Sequence, residues 1–161
     1  MYRRAAAQGH LAAEYMIGAI SWDGLAGQQQ DRTEAVAHFR TAAERGNAAA
    51  QRMLAVAYRT GQGVPEDLGQ MMTWNRKAAE QGDGLAETSL GYEILSGLDG
   101  TYDFVEAACW LTLAVERIDD PSEKARAQVN LDNALVQLND AEKAEAAARA
   151  AGWRAKFAGK Q

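Results

Sequence analysis

The chain has 161 residues, which suits one compact domain or an array of smaller units sharing a core and leaves little room for two independent domains. At 47% hydrophobic, 24% charged and 7% aromatic residues, the composition is that of a globular fold with a core of small aliphatic side chains, which excludes wholesale disorder. A net charge of −5 repels phosphate backbones and anionic headgroups, and no apolar run approaches the ~18 residues needed to span a bilayer, so nucleic-acid binding and membrane insertion are set aside.

Only two prolines, Pro65 and Pro121, interrupt a sequence rich in Ala, Leu, Glu, Lys, Gln and Arg, so helix is expected almost throughout and the fold class is all-α. The chain opens on MYRRAAAQG, which lacks an apolar h-region and aligns with the second helix of a later unit, WNRKAAEQG. It therefore begins halfway through a unit, as a domain trimmed from a longer protein would. RRAAAQG ending at Gly9, FRTAAERG ending at Gly46 and NRKAAEQG ending at Gly82 recur at steps of 37 and 36 residues. Gly24, Gly61 and Gly97 keep the same step. So do Ala13, Ala50 and Ala86, and Ile17, Leu54 and Leu90, while His38, Trp74 and Trp110, and Ala42, Ala78 and Ala114, recur at 36 residues each time. The period divides the chain into a half unit at 1–9, units at 10–46, 47–82 and 83–118, and C-terminal capping helices at 119–161.

Each unit reads as an A helix and a B helix joined by a glycine-bearing turn. In the second unit, helix A starts after the N-cap Asn47, runs to about Arg59 and stops at Gly61, which accepts the left-handed C′ conformation. Helix B starts at Asp67, and Gln70 reaching back would complete a capping box. Asp31 with Glu34 and Asp103 with Glu106 repeat that spacing. Past Arg117 the pattern loosens. Asp120, Pro121, Ser122 and Glu123 start a helix running to about Gln137, and Asn139 with Glu142 starts the last, a polar cap on the final hairpin. The stripe Ala50, Leu54, Tyr58 faces the stripe Met71, Trp74, Ala78, and small residues at Ala50, Ala55, Ala78, Gly18 and Gly91 let neighbouring helices approach closely. Stacked hairpins then bury what one hairpin alone cannot.

Reactive chemistry finds little support. His10 and His38 stand on different units without the nucleophile, base and orienting group of a catalytic site, and they read as structural. Cys109 is the single cysteine, so it forms no internal disulfide and reads as a buried inert thiol, and no Cys/His spacing suits zinc. Gly61 and Gly63 do not make a phosphate loop, because Glu66 stands where a third glycine is needed and the flanks are helical. Trp74 and Trp110 read as core, Trp153 as packing the cap, and Met71 with Met72 as soft core filler. No catalytic residue, metal ligand or cofactor site is assigned.

The run A-x-x-x-L-(G/A)-x-x-Y-x-x-G-x-G-V-x-x-D followed by W-x-x-K-A-A-E-Q-G, from Ala50 to Gly82, resembles the Sel-one-like repeat (SLR), a relative of the tetratricopeptide repeat. The third unit matches well, with Ile94 in the tyrosine slot. The first is weaker, with Ser21 in that slot, His38 for tryptophan and one extra residue in the turn Leu25 to Gln30. The resemblance covers about Met1 to Arg117 and implies a right-handed α-α superhelix whose A helices line a concave face. It also implies work as an adaptor or scaffold rather than as an enzyme. Some secreted relatives carry a cysteine pair in every repeat, and this chain does not, which leaves the compartment open.

On such a face the slots between the packing stripes are Tyr15, Ala19 and Trp22; Arg52, Val56 and Arg59; Thr88, Tyr92 and Leu95; then Lys124 and Gln128. Trp22 falls one residue past the tyrosine slot, where helix A turns toward the groove. Aromatic and arginine side chains of this kind make interface hot spots. The expectation is a groove for a protein or peptide partner, with Arg52 and Arg59 pairing its carboxylates and Tyr15, Trp22 and Tyr92 giving apolar contact. Two other readings stay open: a regulatory repeat domain of a larger bacterial envelope or signalling protein, and, more distantly, an enzyme acting on cell-wall or β-lactam substrates.

Overall fold

The computed structural model describes residues 2–25, 27, 29–98 and 100–159. Residues 26 and 28 of the turn expected over Leu25 to Gln30, and Met1 of the half unit, lie outside the described residues. Among those described, the chain forms helices and no strand: α1 (Tyr2–Ala7), α2 (Leu11–Asp23), α3 (Arg32–Glu44), α4 (Ala48–Thr60), α5 (Leu68–Ala79), α6 (Gly84–Leu95), α7 (Phe104–Arg117), α8 (Pro121–Leu135) and α9 (Asp140–Ala158). They fall into two compact units, residues 1–78 and 79–161.

Side-chain caps fix most helix starts. Asn47 accepts from Ala50 N, Asp67 from Gln70 N, Asp83 from Ala86 N and Asp103 from Glu106 N, at 2.7–3.0 Å. In two of the three expected boxes the acid bonds elsewhere. Glu34 accepts the Ser21 hydroxyl at 2.9 Å, and Glu106 accepts the Trp110 indole N–H at 3.2 Å. A complete capping box forms at α9, between Asn139 and Glu142. Gly24 and Gly61 close α2 and α4 with φ of 70° and 65°, the left-handed cap that side chains resist. Helix α8 ends at Leu135, two residues short of the expected Gln137. Asp120 caps it by accepting from both Ser122 N and Glu123 N, with Pro121 in the first turn. Asp120→Ala should therefore lower stability by about 1 kcal/mol, measured as an earlier urea midpoint at unchanged slope.

In the first unit α1 packs on α2, α2 on α3 and α3 on α4. One buried cluster joins Trp22, Val36, Phe39, Leu54, Tyr58, Met71 and Trp74 with Ala35, Ala42, Ala43, Ala50, Ala55 and Ala57, so it holds one expected stripe together with Met71 and Trp74 of the other. Phe39 lies at its centre, fully buried, with Tyr15 and Trp22 rings 5.9 and 5.8 Å away. Gly18 makes room for it, since a Cβ there would stand 2.7 Å from the Phe39 ring. Gly63, at φ +78°, lies so close to the start of α3 that a Cβ would come within 2.2 Å of the Arg32 carbonyl oxygen, which fixes the turn against that helix.

In the second unit α7 is central, packing against α6, α8 and α9. Its Ala107, Ala108, Cys109, Trp110, Leu111, Leu113 and Ala114 are all buried, as a helix covered on several sides requires. Gly91 of α6 repeats the role of Gly18: a Cβ would sit 2.5 Å from Leu111. Helix α9 lies on α7 through Trp153, 4.9 Å from Trp110, and through Phe157, whose ring stacks on Trp153 at 5.7 Å and lies 4.1 Å under the Arg117 guanidinium. Arg154 donates from Nε and Nη2 to the two carboxylate oxygens of Glu116, at 2.8 and 2.5 Å.

Candidate functional site

Helices α2, α4 and α6, the A helices of the three repeats, and α8, the first C-terminal helix, share a register set by their N-caps, His10, Asn47, Asp83 and Asp120. Five residues past the cap stand Tyr15, Arg52, Thr88 and Ala125; nine past it Ala19, Val56, Tyr92 and Val129; twelve past it Trp22, Arg59, Leu95 and Asp132. These offsets put the three positions on one stripe of each helix.

In the first unit, Arg59 is exposed and Arg52 half-buried, while Tyr15, Ala19 and Val56 are partly buried against the core. Trp22 is a correction to the expected surface. It is only 8% exposed, its ring packs on Phe39, and the Arg32 guanidinium lies over it, 4.1 Å from the ring centroid. In the second unit Tyr92 is 56% exposed and Leu95 half-buried. Thr88 is a second correction: it is buried, and its hydroxyl donates to the Gly84 carbonyl one turn back at 3.0 Å. Lys124 and Gln128 are exposed, but Lys124 is four residues past its cap and belongs to a different stripe. The residue that shares the Tyr92 position on α8 is Val129, 59% exposed, which the sequence reading passed over. The cap-to-cap step from Asp83 to Asp120, 37 residues, is the signal that finds it.

The position four past the cap turns inward in α2, α4 and α6 and carries a polar group in each, whereas its counterpart on α8, Lys124, is exposed. Glu14 meets His38 Nδ1 at 2.8 Å, and Gln51 donates to the Ala43 carbonyl at 3.0 Å. Glu87, fully buried, has Oε1 3.2 Å from Arg117 Nε, too poorly aligned for a hydrogen bond. His38 thus gains a carboxylate partner from the neighbouring helix. The pair bridges α2 and α3 and brings no nucleophile with it. Burial pushes the Glu87 carboxyl up to about 8, against the pull of Arg117 and with Asp83 and Glu116 adding to the rise. Burial also pushes the Cys109 thiol up to about 11, which keeps it protonated and poorly nucleophilic. Among the described residues no group of three or more His, Cys, Asp and Glu side chains could hold a metal ion, and no helix is long and apolar enough to cross a membrane.

The Sel1 repeat profile matches residues 1–10, 11–47, 48–83 and 84–119. No curated protein matches the sequence. Among solved structures, the chain is similar to a protective antigen present in uropathogenic Escherichia coli strains and displaying an SLR fold, with a TM-score of 0.82 and 30% identity over 99% of this chain. It is also similar to a Sel1 repeat protein from Oxalobacter formigenes, with a TM-score of 0.71 and 32% identity over 78% of this chain. The chain spans 33% of the first protein's length and 48% of the second's.

Proposed function

The chain belongs to the Sel1 repeat family, and from that premise we propose that it is a non-enzymatic scaffold that holds a peptide or protein partner on the exposed stripes of its A helices. Sel1 repeat proteins generally act as protein-interaction scaffolds, and their fold is typically non-catalytic. The observation that carries the reading is the placement of charge. Residues 1–78 hold nine Arg and Lys against seven Asp and Glu, whereas residues 79–161 hold eight against fifteen. The basic surface therefore belongs to the unit in which Arg52, Val56 and Arg59 share one stripe of α4. That stripe suits an acidic segment, with Arg59 and Arg52 offering charge-assisted hydrogen bonds to its carboxylates and Val56 a small apolar contact between them. In the second unit, Tyr92 and Val129 supply apolar area on the equivalent stripe.

Selection from a displayed peptide library tests this. The wild-type chain should enrich acidic peptides, and Arg52→Glu with Arg59→Glu should weaken the selected binders by about tenfold or more, on the order of 1.4 kcal/mol, with helicity unchanged by far-UV circular dichroism. Unchanged affinity would remove the stripe from the interface. Tyr92→Ala tests the second unit in the same assay.

A further inference from the structure

The groups that a scaffold role leaves unexplained converge inside the second unit. Glu87 is fully buried on α6, and neither of its carboxylate oxygens has a hydrogen bond. Arg117 Nε, at the end of α7, lies 3.2 Å from Oε1. The same guanidinium is 4.1 Å over the ring of Phe157 on α9 and packs against the Gly82 turn. One side chain therefore joins the buried carboxyl to the docked end of the C-terminal helix.

We infer that Glu87 is a proton-operated release for α9. With the carboxyl protonated, Arg117 rests on Phe157 and the helix stays seated. With the carboxylate ionised, Arg117 is drawn inward, water follows the charge, and the Phe157 end lifts from α7. The physical reason is the lack of solvation: an ionised carboxylate whose one nearby donor, Arg117 Nε, is misaligned must gain hydrogen bonds in a dry interior, and the available sources are a realigned Arg117 and entering water. The surrounding charges do not relieve it. Asp83 at the α6 cap and Glu116 on α7 are both acidic. From α9, Arg154 is held by Glu116 and Lys156 lies over Trp153. On α8, Lys124 and Arg126 are exposed, and Arg126 is paired with Glu123. The rise of the Glu87 carboxyl to about 8 agrees with a proton held at neutral pH.

Cys109 reports the motion, because it is the only cysteine, is 2% exposed, and lies on α7 under the influence of Arg149 and Arg154 of α9. Its alkylation by iodoacetamide is measured in the full chain from about pH 6 to about pH 8.5, each rate divided by that of the urea-unfolded chain at the same pH; this range lies below the thiol's titration both folded, at about 11, and unfolded, near 9.0, so thiolate formation rises in step in the two and drops out of the trend. The scaled rate should rise by about tenfold across this range in the wild type and stay flat in Glu87→Gln. Glutamine already occupies the equivalent position at Gln51, so this variant has a native precedent in the fold. Phe157→Leu, which removes the ring under Arg117, should bring the scaled rate at low pH close to the alkaline value. A wild-type rate independent of pH overturns the inference, as does an undiminished rise in either variant.

Discussion

Truncating Phe39 to alanine is expected to lower the free energy of unfolding by about 3–5 kcal/mol, a large share of the ~5–15 kcal/mol that holds a domain of this size. The ring is wholly shielded and meets Tyr15 and Trp22 of α2, so its removal leaves a cavity lined by side chains from the neighbouring helix that cannot all collapse into it. The measurement is the urea midpoint at constant slope. Gly18 sharpens the test. A methyl there would stand 2.7 Å from the Phe39 ring and 3.1 Å from the Ala35 carbonyl oxygen, so Gly18→Ala should cost about 1–3 kcal/mol through overpacking. Combined with Phe39→Ala, the added methyl has room on the ring side, and the double variant should be more stable than the sum of the two losses implies. Strict additivity would mean that the close approach of α2 and α3 does not rest on this pair.

The repeat architecture was readable because its determinants are local and recur. A cap residue, a glycine three or four turns later and an aliphatic stripe each act within a few residues, and Asn47 to Gly61 behaves as those rules require. The close-packing role given to Gly18 and Gly91 was readable for the same reason, since repetition of a small residue at one slot implies a large neighbour at another. The candidate surface was less legible, because exposure depends on partners remote in sequence. Trp22 is covered by Phe39 and Arg32, which nothing near Trp22 announces. Thr88 lies on the expected stripe but bonds its own backbone and stays buried. Val129 is hidden because the residue pattern loosens past Arg117, although the N-caps carry the period one helix further. The inward polar slot was the most hidden feature. His38 and Arg117 come from neighbouring helices, and no fixed spacing links them to Glu14 and Glu87.

Stability should fall as pH rises from about 5 to about 8, and Glu87→Gln should remove most of that fall. In the unfolded chain the Glu87 carboxyl titrates near its ordinary value of 4.5, whereas in the folded chain burial holds it near 8. Between those values the folded state keeps a proton that the unfolded state has released, so each step up in pH favours unfolding. The contribution is whole below about 4.5 and gone above about 8. Glu116 acts with the opposite sign: Arg154 holds its carboxyl below the ordinary range, so its contribution is present at neutral pH and lost on acidification. That pair is about half exposed, which keeps its effect small. At about 1.4 kcal/mol per unit of displacement, the Glu87 effect amounts to a few kcal/mol, large enough to set the slope of the whole profile. Urea unfolding at acidic, neutral and mildly alkaline pH measures it as the difference between wild type and Glu87→Gln, in which the other titrating groups cancel. The variant should be the more stable protein on the alkaline side, because an amide carries no charge to desolvate. A difference that stays constant with pH, or that grows on the acidic side in favour of the variant, would mean that Glu87 is ionised in the folded chain and that its ion pair with Arg117 outweighs the cost of burial.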